Sequence, residues 1–221
     1  MSHHRREALL LTLAVGVIGM TFGVLADAAG FGLPKIVVMS AFVFTGASQF
    51  AAVSVVESGG SGSAAVGSAF LLAARNALYG PVVGPLLPPR PLGRLASSHF
   101  VIDETTAMAS VQDDEATARD AFWWTAVLLW VLWNLGTVAG AVLGSVIGDP
   151  AVWGLDAAFP AAFLSLLVSH VRQRPGQVAA VVGAALALMA MPVTPAGVPL
   201  LVAVIAVVPG WLVRRGRRVA G

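Results

Sequence analysis

Four stretches of this chain, Ala8–Ala26, Ile36–Val56, Ala121–Ile147 and Val178–Val213, contain no Asp, Glu, Lys or Arg. A helix needs about 20 apolar residues to cross a bilayer, because each adds about 1.5 Å against about 30 Å of hydrocarbon. Three of the runs suit one crossing. The last is uncharged for 36 residues, and Pro192, Pro195 and Pro199 divide it into two. The composition agrees: 57% of the residues are hydrophobic and 11% charged, against about 25% charged in a soluble domain. Such a chain cannot cover its surface with polar groups, so its solvent is the lipid bilayer. The reading is an all-α polytopic membrane protein, a single transmembrane domain over residues 1–221.

Weaker segments complete the bundle. A third span runs from about Ser63 to Leu87, stopped by Pro88-Pro89-Arg90-Pro91. A sixth needs Val152–Asp156 joined to Ala157–Ser169. Residues 96–112 are ambiguous, with Asp103 and Glu104 inside a short apolar segment. Counted as a crossing they give eight spans; counted as re-entrant or interfacial they give seven. Arg and Lys cluster in cytoplasmic loops, and here Arg5-Arg6, Arg172/Arg174 and Arg214–Arg218 share one side only if the number is even. Eight spans with both termini cytoplasmic is the expectation, with some helices broken or re-entrant. The basic N-terminus resembles a secretory signal, but Ala8–Ala26 exceeds a signal core and equally apolar sequence follows, so it reads as the first span.

A net charge of +2, without a dense basic face, argues against nucleic acid. Absence of cysteine excludes disulfides and thiol chemistry. No spacing suggests a metal site, and no cofactor is expected. Gly46-Ala47-Ser48 has the form of an intramembrane serine nucleophile, which also needs a histidine base. His170 abuts Arg172 at a span end and His99 sits near a Pro/Arg-rich turn, neither at the depth that chemistry needs, so a hydrolase is not expected and no catalytic residue is assigned.

Small residues at Gly136, Gly140, Gly144 and Gly148 recur every four positions, one above another on a helix face. Gly19/Gly23 repeats the pattern more weakly. In lipid, close backbone approach drives helices together, so the stripe reads first as a packing seam, the alternative being that it lines a pathway or binds a partner chain.

Polar groups at membrane depth are expensive, and so they are candidates for function. Arg75 lies inside the third span with Asn76 beside it and Tyr79 one turn on. It could grip a carboxylate with its guanidinium fork, or form a structural ion pair with Asp103, Glu104 or Asp156. Asp103-Glu104-Thr105-Thr106 suits either a proton-coupling site or an interfacial loop. Thr45, Ser48 and Gln49, at i, i+3 and i+4, would form one polar stripe on the second span. Asp156, followed by Pro160, could open a broken helix whose N-terminus faces an anion, or simply cap it.

The strings Phe22-Gly23-Val24-Leu25-Ala26 and Met39-Ser40-Ala41-Phe42-Val43-Phe44-Thr45-Gly46-Ala47-Ser48-Gln49-Phe50 resemble the opening of AzlC-type proteins, large subunits of branched-chain amino acid exporters of the LIV-E family. The likeness continues through Arg75-Asn76-Ala77-Leu78-Tyr79-Gly80, Asp103-Glu104-Thr105 and Gly154-Leu155-Asp156-Ala157-Ala158-Phe159-Pro160-Ala161. It departs where many members carry Asn two residues before the Arg and His after it; here these are Ala73 and Asn76.

The resemblance implies a bacterial inner-membrane permease. It would export branched-chain and methionine-like amino acids by proton-coupled antiport with a small AzlD-type membrane subunit. In that reading Ser48, Gln49, Arg75, Asn76, Tyr79 and Asp156 bind substrate, while Asp103, Glu104 or Asp156 carries the proton. The alternative is a non-transporting scaffold or assembly subunit whose buried charges are structural.

Overall fold

The computed structural model describes residues 2–147 and 171–219, together with residues 152, 154, 157, 160, 161, 164, 167 and 168 between them; for residues 147 and 214–219 only the helical backbone is described. Asp156, Phe159, Gly148 and most of the expected sixth span lie outside these residues. Every regular element among the described residues is helical. The chain forms two compact units: residues 1–50 with 72–155, and residues 51–71 with 156–221.

Among the described residues two helices are long and apolar enough to cross a membrane, and both belong to the first unit. Helix α1 is His3–Ala28, and α8 is Glu115–Ile147. Glycines on both let their backbones touch. A Cβ added at Gly23, Gly136 or Gly140 would strike the carbonyl oxygen of Thr137, Gly16 or Met20 respectively. At Gly19 it would lie 2.9 Å from the Trp133 carbonyl oxygen, and at Gly144 3.2 Å from the Val24 Cα. The glycine seam read from the sequence is thus the interface of α1 with α8. Its register rises together on both helices, so they run parallel. At their N-terminal ends Arg5 donates two hydrogen bonds to Asp120, at 2.8 and 2.7 Å, and His4 lies 2.6 Å from the same carboxylate.

The chain turns at Ala29–Gly32, where Gly30 and Gly32 adopt φ of 80° and 69°, open to glycine at little cost. It returns as α2, Leu33–Phe42. The expected second span then departs from one continuous helix. It breaks at Val43–Thr45 and resumes as α3, Gly46–Glu57. Thr45, Ser48 and Gln49 are therefore not one stripe: Thr45 precedes α3, and its carbonyl accepts the first-turn amides of Ser48 (3.0 Å) and Gln49 (3.2 Å).

The third span is also irregular. Helix α4, Gly62–Ala74, tightens into a 3-10 stretch at Arg75–Tyr79, followed by the short α5, Gly80–Val83, and a 3-10 turn at Gly84–Leu86. Residues 96–112 hold no spanning helix. They contain the end of α6, Pro91–Ser98, and α7, Asp103–Ser110, and eight residues rise only about 12 Å. Val83, Leu86, Val101, Ala109, Ala118 and Phe122 bury these short pieces against the start of α8.

In the second unit, Val55 packs with Ala64 and Ala65 across the tight turn at Gly59. Helix α9, Arg174–Ala190, ends before Pro192, and α10, Val198–Ala203, begins around Pro199. A 3-10 turn at Val204–Ala206 leads into α11, Val207–Val219. Gly183 lies against Ala203 and Ala206, and Gly210 against Pro175 and Ala179, so α9 and the following helices form an antiparallel hairpin. This is the division of Val178–Val213 that the prolines predict.

Candidate functional site

The irregular points of the second, third and fourth segments lie in the first unit, and two of them share partners. Arg75 Nη2 sits 2.7 Å from Asp103 Oδ2. The hydroxyl of Tyr79, the one tyrosine in the chain, donates a short hydrogen bond to Asp103 Oδ1. Asp103 is the first residue of α7, where a helix N-terminus favours a negative charge. Thr105, fully buried, anchors that terminus: its Oγ1 accepts the Ile102 amide at 3.2 Å and donates to the Phe100 carbonyl at 2.7 Å.

The ion pair is half-shielded, with Arg75 33% and Asp103 27% exposed. Asp103 engages one nitrogen of the guanidinium fork. Arg75 Nε and the neighbouring Asn76 Oδ1 are buried with no hydrogen-bond partner among the described residues. An unmatched donor and acceptor on adjacent residues are unusual, since buried polar atoms are ordinarily paired. Glu104 is half-buried beside Asp103. The structure thus brings Arg75, Tyr79 and Asp103 together; Asp156 lies outside the described residues.

The break at Val43–Thr45 stands next to this cluster. Phe44 is buried, its ring centroid 5.6 Å from that of His99 and 6.0 Å from that of Phe100, in the turn leading to Asp103. His99, close to the Pro/Arg-rich turn, thus packs on the broken helix. Gln49 is fully buried and every arm of its amide is engaged. Nε2 donates to the Met39 carbonyl at 3.1 Å and the Ser40 carbonyl at 3.4 Å, while Oε1 accepts the Trp133 indole N–H at 3.0 Å. Trp130 donates its indole N–H to the Ala41 carbonyl at 3.3 Å, and Ser40 Oγ donates to Thr137 Oγ1 at 3.2 Å. Helix α8 therefore secures the end of α2 through side chains the sequence reading did not single out. The signal was present: Trp130, Trp133 and Thr137 lie on one face at helical spacing.

Trp133 also explains Gly46, where a Cβ would fall 2.9 Å from the indole ring. Phe22 stacks on Trp133 at 6.1 Å and meets Phe50 edge-on at 5.5 Å, fixing the indole from below. Ser48, in the first turn of α3, is fully buried and its Oγ has no partner among the described residues.

Composition, and the two long apolar helices and discontinuous shorter ones among the described residues, fit an all-helical membrane protein. Its residues 11–147 match the AzlC protein family, more than half of the chain, and the chain belongs to that family. It is also similar to the inner membrane protein YgaZ of Escherichia coli (strain K12), 29% identical over 193 residues, covering 81% of this chain and 77% of the relative. No solved structure matches the chain.

Proposed function

We propose that this chain is the large subunit of a two-component secondary exporter in the bacterial inner membrane. It carries branched-chain, and methionine-like, amino acids in antiport with protons, beside a small AzlD-type subunit, as one transporter domain. Membership of the AzlC family and similarity to an inner membrane protein support a membrane transport role. The observation that carries the site is the Arg75–Asp103–Tyr79 cluster, a cation and an acid joined at interrupted helices with Arg75 Nε and Asn76 Oδ1 unmatched beside them. Secondary transporters place substrate and coupling-ion sites at discontinuous helices of this kind. In this reading Ser48, Arg75, Asn76, Tyr79 and Asp156 face substrate. Asp103, Glu104 or Asp156 takes the proton. Gln49, whose amide is fully engaged, braces the break beside the substrate.

In this reading α1 and α8 cross in the same direction, which their parallel packing supports, and the expected eight crossings put both basic termini in the cytoplasm.

The test is leucine and methionine efflux from preloaded proteoliposomes, with and without a proton gradient and with and without the small subunit. Efflux that rises with the gradient, and loses that dependence in Asp103→Asn or Glu104→Gln, supports the reading. Correctly folded protein that moves neither amino acid under any condition favours a scaffold.

A further inference from the structure

The break in the second span presents hydrogen-bond donors and engages several of its acceptors. A helix that stops in a membrane leaves carbonyls at its end and amides at the start of the next helix. Here three of those carbonyls are engaged. Met39 accepts the Val43 amide at 2.9 Å as well as Gln49, Ser40 accepts Gln49, and Ala41 accepts Trp130. These three oxygens are thereby less available to a cation or ammonium group. At the α3 side, Ser48 and Gln49 amides close on the Thr45 carbonyl, while those of Gly46 and Ala47 precede them as first-turn donors.

Ser48 supplies an independent observation. It is fully buried and its hydroxyl has no partner among the described residues. Each Cα–Cβ bond in a helix tilts toward the N-terminus, so the Ser48 side chain leaves α3 on the side of the break. An orphaned buried donor costs about 1–3 kcal/mol, which a ligand oxygen would relieve. The twelve residues of α3 add a dipole end of about half a positive charge at the same point.

We propose that Gly46 N–H, Ala47 N–H and Ser48 Oγ form a carboxylate seat for the exported molecule, and that Gln49 is a positioning residue holding it open. The inference rests on the export reading and deepens it. One planar anion with two oxygens suits two amides and a hydroxyl. Gly46 keeps the approach narrow, because Trp133 lies where its side chain would be. Gln49 tethers the end of α2 to Trp133 of α8, so that the first turn of α3 is not drawn back to cap Met39 and Ser40.

The experiment is hydrogen exchange over residues 43–50 of the reconstituted full chain. The probes are L-leucine, isovalerate (the same branched chain and carboxylate without the amine) and L-leucinol (the amine without the carboxylate). The seat predicts slower exchange of these amides with leucine and isovalerate but not with leucinol. Ser48→Ala should weaken the leucine effect about tenfold or more, the value of one hydrogen bond to a charged group. Gln49→Met should erode the discrimination between isovalerate and leucinol, which a loss of stability alone would not do. Equal protection by leucinol, or no protection by any probe in the wild-type protein, overturns the proposal. Flux in the same vesicles separates the two readings: protection without flux keeps the seat and refutes export, and flux without protection does the reverse.

Discussion

Replacing Gly140 by Ala tests the packing of α1 on α8 in graded form. In an isolated helix the change would stabilise by about 1 kcal/mol, since glycine is the poorer helix former. Here the new methyl group meets the backbone carbonyl of Met20, deep within contact distance, and a backbone atom cannot rotate aside. Overpacking of this kind costs about 1–3 kcal/mol and more when helices must separate. The collision is far worse than at Gly144, where the nearest atom stands at 3.2 Å.

The net expectation for Gly140→Ala is a loss of about 2 kcal/mol, or about 4–8 °C in Tm for a chain of this size. Gly23→Ala should match it, Gly19→Ala should lose less, and Gly144→Ala least. Gly67→Ala is the control: its nearest atom is a Leu201 methyl at 3.6 Å, an ordinary contact, so its Tm should hold or rise. The assay is thermal unfolding of the purified protein in one detergent. A Gly140→Ala protein as stable as wild type, or a ranking indifferent to these contacts, would refute the close-packed seam.

Other expectations follow from individual contacts. Gln49→Met leaves the Trp133 indole and the Ser40 carbonyl unmatched in the interior and leaves Met39 with the Val43 amide alone, a loss of about 2–4 kcal/mol that thermal unfolding will show. Asp120→Ala removes the acceptor of Arg5 and His4 and should loosen the first turn of α1 by about 1 kcal/mol. Hydrogen exchange at residues 3–8 reads the change, and added salt should shrink it. Asp114 takes the Thr117 amide at 2.9 Å, which holds its carboxyl below the ordinary value. A lowered folded-state value means this cap stabilises fully above the unfolded pKa, about 3.9, and is lost as pH falls through the folded one. The Tm gap between wild type and Asp114→Ala should therefore stay constant from pH 7 to about 5 and close below 4.

How far the sequence spoke depended on whether a feature was local. The seam was legible because Gly136, Gly140 and Gly144 announce close approach by spacing alone. The division at Pro192 and Pro199 was legible because proline stops a helix wherever it stands. The break at Val43–Thr45 was not, because both halves of that span are uncharged and no proline marks the join. Its cause lies about 90 residues away, in Trp130 and Trp133, which hold the end of α2 from α8. Gln49 was misplaced for the same reason: its spacing from Thr45 reads as a polar face only if the helix is continuous. Arg75, Tyr79 and Asp103 could each be picked out as charged or polar groups in apolar surroundings. Which of three acids Arg75 would pair with depended on the turn at His99–Ile102, whose packing on Phe44 is a tertiary fact.

The most direct test of the account is gradient-driven leucine efflux from preloaded proteoliposomes, comparing wild type with Arg75→Ala at equal amounts of folded protein. The account predicts efflux driven by the proton gradient in the wild type and a loss of at least tenfold in the variant. Wild-type protein with no efflux in the presence of the small subunit, or a variant that exports as well as wild type, would contradict it.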